Sequence, residues 1–146
     1  MNDVVRYTKI PSGYLMVLRE GDDAFANLAA LMVAEQIPSA TLVGLGFAGK
    51  AKFGFFDFAK KQYEPREFNN LELASITGTL AWKIGKPSVH AHAVAAGRNF
   101  SAVGGHLLAL EVGTGSLELT ITVHQQRLER HFDPGIGANF LSIGRE

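Results

Sequence analysis

From Ser39 to His124 the chain is a succession of short apolar runs punctuated by glycine. The gaps between these runs are short and lack the crossover segments that parallel pairing requires. Neighbouring runs are therefore expected to pair antiparallel, at Thr41–Phe47, Lys52–Phe58, Leu71–Leu80, Ser88–Ala95, Gly105–Val112 and Leu117–His124. Two further runs, Val4–Lys9 and Tyr14–Arg19, flank the turn residues Pro11-Ser12-Gly13 and read as a strand pair. A single segment has helical period: Phe25, Leu28, Ala29 and Met32 fall at i, i+3, i+4 and i+7, with Leu31 widening the stripe. Asp22 or Asp23 can cap its start, and it ends before Pro38. The last apolar patch, Phe140–Ile143, follows the Pro134-Gly135 turn and is expected to pack as a short closing strand. The expected fold class is α+β, one domain over residues 1–146, a mainly antiparallel sheet packed by one main helix.

Composition narrows the function classes. With 47% apolar residues in 146, the chain can bury a sizeable core without staples, and it has no cysteine to form disulfides, thiolate metal sites or a thiol nucleophile. Fourteen basic residues balance fourteen acidic ones, and neither half is basic. Nonspecific affinity for nucleic acid comes mainly from Lys and Arg neutralising phosphates, so direct nucleic-acid contact is not expected. The longest stretch free of charge, Gln36–Gly49, has 14 residues, too few to span a bilayer. Asp3 and Arg6 stand where a signal peptide would place apolar residues. The expected location is cytoplasmic, with no membrane partner.

The chemistry-bearing cluster is His90-Ala91-His92 followed by Gly104-Gly105-His106. Residues two apart on a strand share a face, so His90 and His92 present adjacent imidazoles. A turn near Gly97-Arg98-Asn99 folds Gly105–Val112 back beside them. Centred on Arg98, it sets His106 opposite His90; centred on Asn99, opposite His92. Either register gathers three imidazoles on one face, provided no bulge interrupts the hairpin. Three neutral histidines suit a divalent metal, zinc first, with the fourth position open; iron, nickel and copper share the ligand type. Ligand histidines must be neutral, so metal release is expected as pH falls towards about 6.5.

Other features carry less. Gly104-Gly105 reads as a bulge or a close backbone approach. Gly44-Leu45-Gly46-Phe47-Ala48-Gly49 does not match the dinucleotide fingerprint, and no helical pattern follows it. Strand phase puts Glu72 with Ala74, Ile76 and Leu80, where a carboxylate needs a partner. It is a candidate general base or hydrogen-bond acceptor near the histidines, and equally a structural acceptor of backbone amides. His124, His131, Arg127 and Arg130 are assigned to strand-end and surface roles. No Gly-X-Ser-X-Gly occurs to anchor acyl-enzyme chemistry.

Taken in order, several segments resemble the plants and prokaryotes conserved (PPC) domain: Leu18-Arg19-Glu20-Gly21-Asp22-Asp23, Ala40-Thr41-Leu42-Val43-Gly44-Leu45-Gly46, Leu71-Glu72-Leu73-Ala74-Ser75-Ile76-Thr77-Gly78, Pro87-Ser88-Val89-His90-Ala91-His92 and Gly104-Gly105-His106-Leu107. The resemblance spans nearly the whole chain. It implies an antiparallel-sheet domain assembling as a homotrimer, with His90, His92 and His106 corresponding to metal-binding histidines of prokaryotic members. In plant members the domain accompanies AT-hook segments and mediates assembly with transcription factors. This chain has no Arg-Gly-Arg-Pro hook, and Asn70 stands where an Arg would precede Glu72 by two residues. Two functions follow as expectations. One is a homotrimer whose three-histidine site binds or transforms a small molecule. The other is a non-enzymatic interaction or regulatory module. Three histidines are compatible with hydrolysis, hydration, oxygen chemistry or storage, so the ligands alone do not decide whether the chain is an enzyme.

Overall fold

The computed structural model describes residues 4–144, so Asp3 and the outermost ends of the 1–146 span lie outside it. Strands β1 (Tyr7–Ile10) and β2 (Gly13–Arg19) form the first hairpin, in register at Ile10↔Gly13. Helix α1 follows at Ala24–Ala34. Asp23 is its cap: the side chain accepts from the Ala26 amide at 3.0 Å, satisfying one of the amides a helix start leaves open. Asp22 instead accepts from the Arg19 amide and pairs with Arg6. The C-terminal end is tied down by Glu35, whose carboxylate receives the hydroxyls of Tyr7 and Tyr14 at 2.9 and 3.0 Å.

The remaining strands are β3 (Ser39–Asp57), β4 (Gln62–Lys83), β5 (Lys86–Ala96), β6 (Ala102–His124), β7 (Glu129–Asp133) and β8 (Ala138–Ser142). Two pairs of expected strands are thus single long ones. The runs 41–47 and 52–58 fuse into β3, and 105–112 and 117–124 fuse into β6. Glycine here bends the strand without ending it. The register shifts at Gly44/Gly46, and a Cβ at Gly113 would sit 2.7 Å from the Gly49 nitrogen, so these positions let two backbones approach across a bulge. Strand β4 also begins earlier than its apolar run, because Gln62–Asn69 pairs with Lys50–Asp57 in a long arm that β6 flanks from Lys50 to Gly54.

All strand pairs are antiparallel except a parallel bridge between Trp82 on β4 and Glu129 on β7. Strand β5 pairs β4 along one edge and β6 along the other, while β3 pairs both β4 and β6. The four strands therefore close a circuit of hydrogen bonding. One face is packed: Leu42, Ile76, Leu80, Leu110, Leu117 and Ile121 are buried together with Leu28, Leu31 and Met32 of α1. Each such side chain contributes about 1.5–3 kcal/mol relative to exposure. The opposite face carries Leu15, Val17, Val43, Leu45 and Val94, all exposed, and the histidines lie on that side. Among the described residues no helix is long and apolar enough to cross a membrane.

Candidate metal centre

The β5–β6 hairpin runs without a bulge from Ala96↔Ala102 to His92↔His106, so its turn centres on Asn99. That register puts His106 beside His92. His90 joins them two residues along β5, on the same face. The Nε2 atoms of His90 and His92 are 3.2 Å apart, and one ligand nitrogen from each of the three histidines lies within 4.8 Å of the others. Two nitrogens bound at 2.0–2.1 Å to one tetrahedral ion sit about 3.3–3.4 Å apart, so the His90–His92 spacing is already that of a chelating pair. The donor set is three imidazoles with no thiolate and no carboxylate, and it fits a zinc-type ion with an open fourth position.

Two of the three imidazoles, His90 and His106, are held towards the neutral form by their surroundings. Loss of hydration, then the neighbouring His90 and His92, pushes His106 down to about 4. His90 is lowered as well, by loss of hydration first and then by the charges of Arg130 and His92. Imidazoles in this state offer lone pairs at neutral pH without proton competition.

Three strand pairs wall the histidines into an open cleft of about 1140 Å³: the β3–β4 arm, the β5–β6 hairpin and the β7–β8 turn. On the arm, Tyr63 lies flat on His106, with ring centroids 4.5 Å apart and planes 15° from parallel. From there an aromatic ladder runs outward, Tyr63 to Phe56 at 5.0 Å and Phe56 to Phe58 at 4.9 Å. Gly54 pairs with His106 on one side and Pro65 on the other, and a Cβ there would meet the Tyr63 ring at 2.8 Å. The bare backbone is what lets Tyr63 cross β3 and reach the histidine. Neither residue carries a signal in the sequence, because the stacking joins positions 43 apart through a third strand.

Two sequence expectations are corrected. Glu72 does not lie on the apolar face: a bulge between Leu73 and Ser75 reverses the phase, so Leu73 and Ile76 point inward and Glu72 is exposed. It pairs with Ala96, five residues along β4 from Thr77, the partner of His92. That is roughly 16 Å at strand rise, too far to accept from a histidine. Arg130 is not a surface residue. It is 6% exposed, and its guanidinium donates to the Thr79 carbonyl at 3.0 Å and the Thr79 hydroxyl at 2.6 Å, beside His90, the strand partner of Thr79. His124 ends β6 with its Nε2 2.9 Å from the Thr41 hydroxyl, and His131 is exposed; neither joins the cluster.

The sequence matches the Plants and Prokaryotes Conserved (PCC) domain over residues 5–125. No curated protein matches it. Among solved structures, a Ralstonia eutropha protein provisionally named as DNA-binding is 53% identical, covering 95% of this chain and 96% of its own, with a TM-score of 0.92. A Pyrococcus horikoshii plant- and prokaryote-conserved protein is 25% identical over 98% and 99%, TM-score 0.82. A protein from Archaeoglobus fulgidus described as metal-containing is 27% identical over 92% and 95%, TM-score 0.78. With the fold, the motif order and the match over residues 5–125 in agreement, this chain belongs to the Plants and Prokaryotes Conserved domain family.

Proposed function

We propose that the protein is a homotrimeric metal-binding domain in which His90, His92 and His106 hold one divalent ion, zinc by ligand chemistry, and leave a position open to a small molecule. The observation that carries this reading is the convergence of three imidazoles in one cleft. The metal-containing relative from Archaeoglobus fulgidus supports it. A bound ion of this kind supplies a Lewis acid that polarises an oxygen ligand. The chain's own residues fix where that ligand sits: the β5–β6 register sets the three nitrogens, and Tyr63 holds the His106 ring against rotation. The exposed apolar side chains Leu15, Val17, Val43, Leu45 and Val94 on one face, interleaved with Thr120 and Glu118, support assembly, because exposed apolar surface on a small domain is commonly covered by a partner. The DNA-binding name of the Ralstonia relative finds no counterpart in the charge of this chain, which is balanced at 14 and 14.

Elemental analysis of tag-free protein beside His106→Ala tests the metal. About one equivalent per chain in the wild type and almost none in the variant is expected. Absence from both after incubation with zinc and iron would overturn the reading and leave an interaction module as the better one.

A further inference from the structure

The charges around the three histidines do not balance. The two carboxylates lining the cleft, Asp57 and Glu64, are both engaged by Lys60, at 3.5 and 3.1 Å. Arg130 has no carboxylate partner among the described residues, and its buried Nε makes no hydrogen bond. A buried guanidinium normally has a counter-ion, and one left without it carries a large desolvation cost. A divalent ion on three imidazoles adds two further positive charges, while among the described residues the two carboxylates lining the cleft are already matched in number by Lys60 and by Arg66, which lines it too. The neighbouring wall is of opposite character: Tyr63, Phe56 and Phe58 form the aromatic ladder on one side, and Ile136 and Ala138 stand on the other.

Resting on the three-histidine reading, we infer that the open position takes the carboxylate of a small monocarboxylic acid whose apolar portion lies along the Tyr63–Phe56–Phe58 ladder. The carboxylate supplies the anion that the metal lacks, and the charge of Arg130, buried behind the cleft wall and not lining it, adds to the field without contact. The ladder selects an apolar body: each aromatic face offers a broad contact for a ring or short alkyl chain, and such contacts favour offset stacking at 4.5–7 Å. A free sugar would set hydroxyls against the phenylalanine faces, which offer them no hydrogen bond.

Zinc-loaded protein, its metal content fixed by elemental analysis, is titrated calorimetrically with benzoate, with acetate and with benzamide. Benzoate is expected to bind at least ten-fold tighter than either of the others, because only it has both the anion and the ring. Removing the metal should weaken benzoate at least ten-fold. Arg130→Gln should weaken it several-fold at unchanged zinc content, with Arg130→Lys recovering part of the loss. Phe56→Ala should bring benzoate and acetate together without changing zinc content, and it remains informative if the Arg130 variants fail to fold. Full zinc loading with benzoate and benzamide binding alike, or with benzoate indifferent to the metal, overturns the inference and leaves the metal site standing. Protein that takes up no divalent ion overturns the three-histidine reading and this inference with it.

Discussion

A Cβ at Gly54 would lie 2.8 Å from the Tyr63 ring and 2.9 Å from Leu108 Cδ1, so Gly54→Ala has to push Tyr63 off His106. The expected result is a protein that folds but holds zinc several-fold more weakly, with Tyr63→Ala giving a similar loss; competition with a chromophoric chelator measures both. Titration of His106 belongs to the same scale. Its value in the unfolded chain is near 6.5 and in the folded, metal-free protein about 4. Between those values the unfolded chain binds the extra proton and the folded one does not, so the stability of metal-free protein falls as pH drops from 6.5 to about 4 and levels off below. His106 is half-exposed, so solvent screening reduces the effect. Urea midpoints across this window check the sign, and His106→Gln should flatten the slope. Proton competition at His90 and His106 also shifts below the ordinary histidine range, so zinc release is expected at a lower pH than the 6.5 suggested by histidine chemistry alone.

At the scale of elements, α1 is fixed at both ends by side chains that the sequence announces only in part. The cap at Asp23 is local, three residues from the amide it serves, and was readable as one of two adjacent aspartates. Asp23→Ala is expected to cost about 1 kcal/mol in chemical unfolding. The contact of Glu35 with Tyr7 and Tyr14 is not local: it joins residues 28 and 21 apart and depends on the first hairpin lying against the end of the helix. Tyr14→Phe should lower stability by about 1 kcal/mol, measured in the same way, and Tyr7→Phe by less because that contact is exposed. Strand lengths followed the same division. The runs at 41–47 and 117–124 were legible as β structure, but their fusion into β3 and β6 was not, since glycine punctuates both turns and bulges.

For the whole molecule, the circuit of pairings through β3, β4, β5 and β6 leaves one face inside and one outside, and the outside carries both the three-histidine cluster and the exposed apolar side chains. Leu45, one of these side chains, is 54% exposed. If three copies assemble there, Leu45→Glu places a charge in the contact and is expected to convert the trimer to monomer in multi-angle light scattering, with the secondary structure retained. A wild-type mass of one chain would count against the assembly. The three histidine ligands come from one chain, so zinc per chain in the dissociated variant is expected to stay near that of the wild type.

The sequence by itself determined the fold class, the antiparallel order, the helix with two aspartates at its start, and the set of three histidines, because each rests on short-range periodicity, turn chemistry or spacing of two. Choosing between His90 and His92 as the partner of His106 took the observed turn at Asn99, since a one-residue change of turn centre is invisible in composition. Glu72 shows the same limit. A single bulge at Leu73/Ser75 reverses a strand's faces, and a bulge is settled by the packing of both neighbouring strands and not by the residues that form it. Arg130, Tyr63 and Gly54 enter the site only through pairings between distant segments. Tertiary structure alone decided their place, because burial and stacking there depend on three hairpins meeting around one cleft.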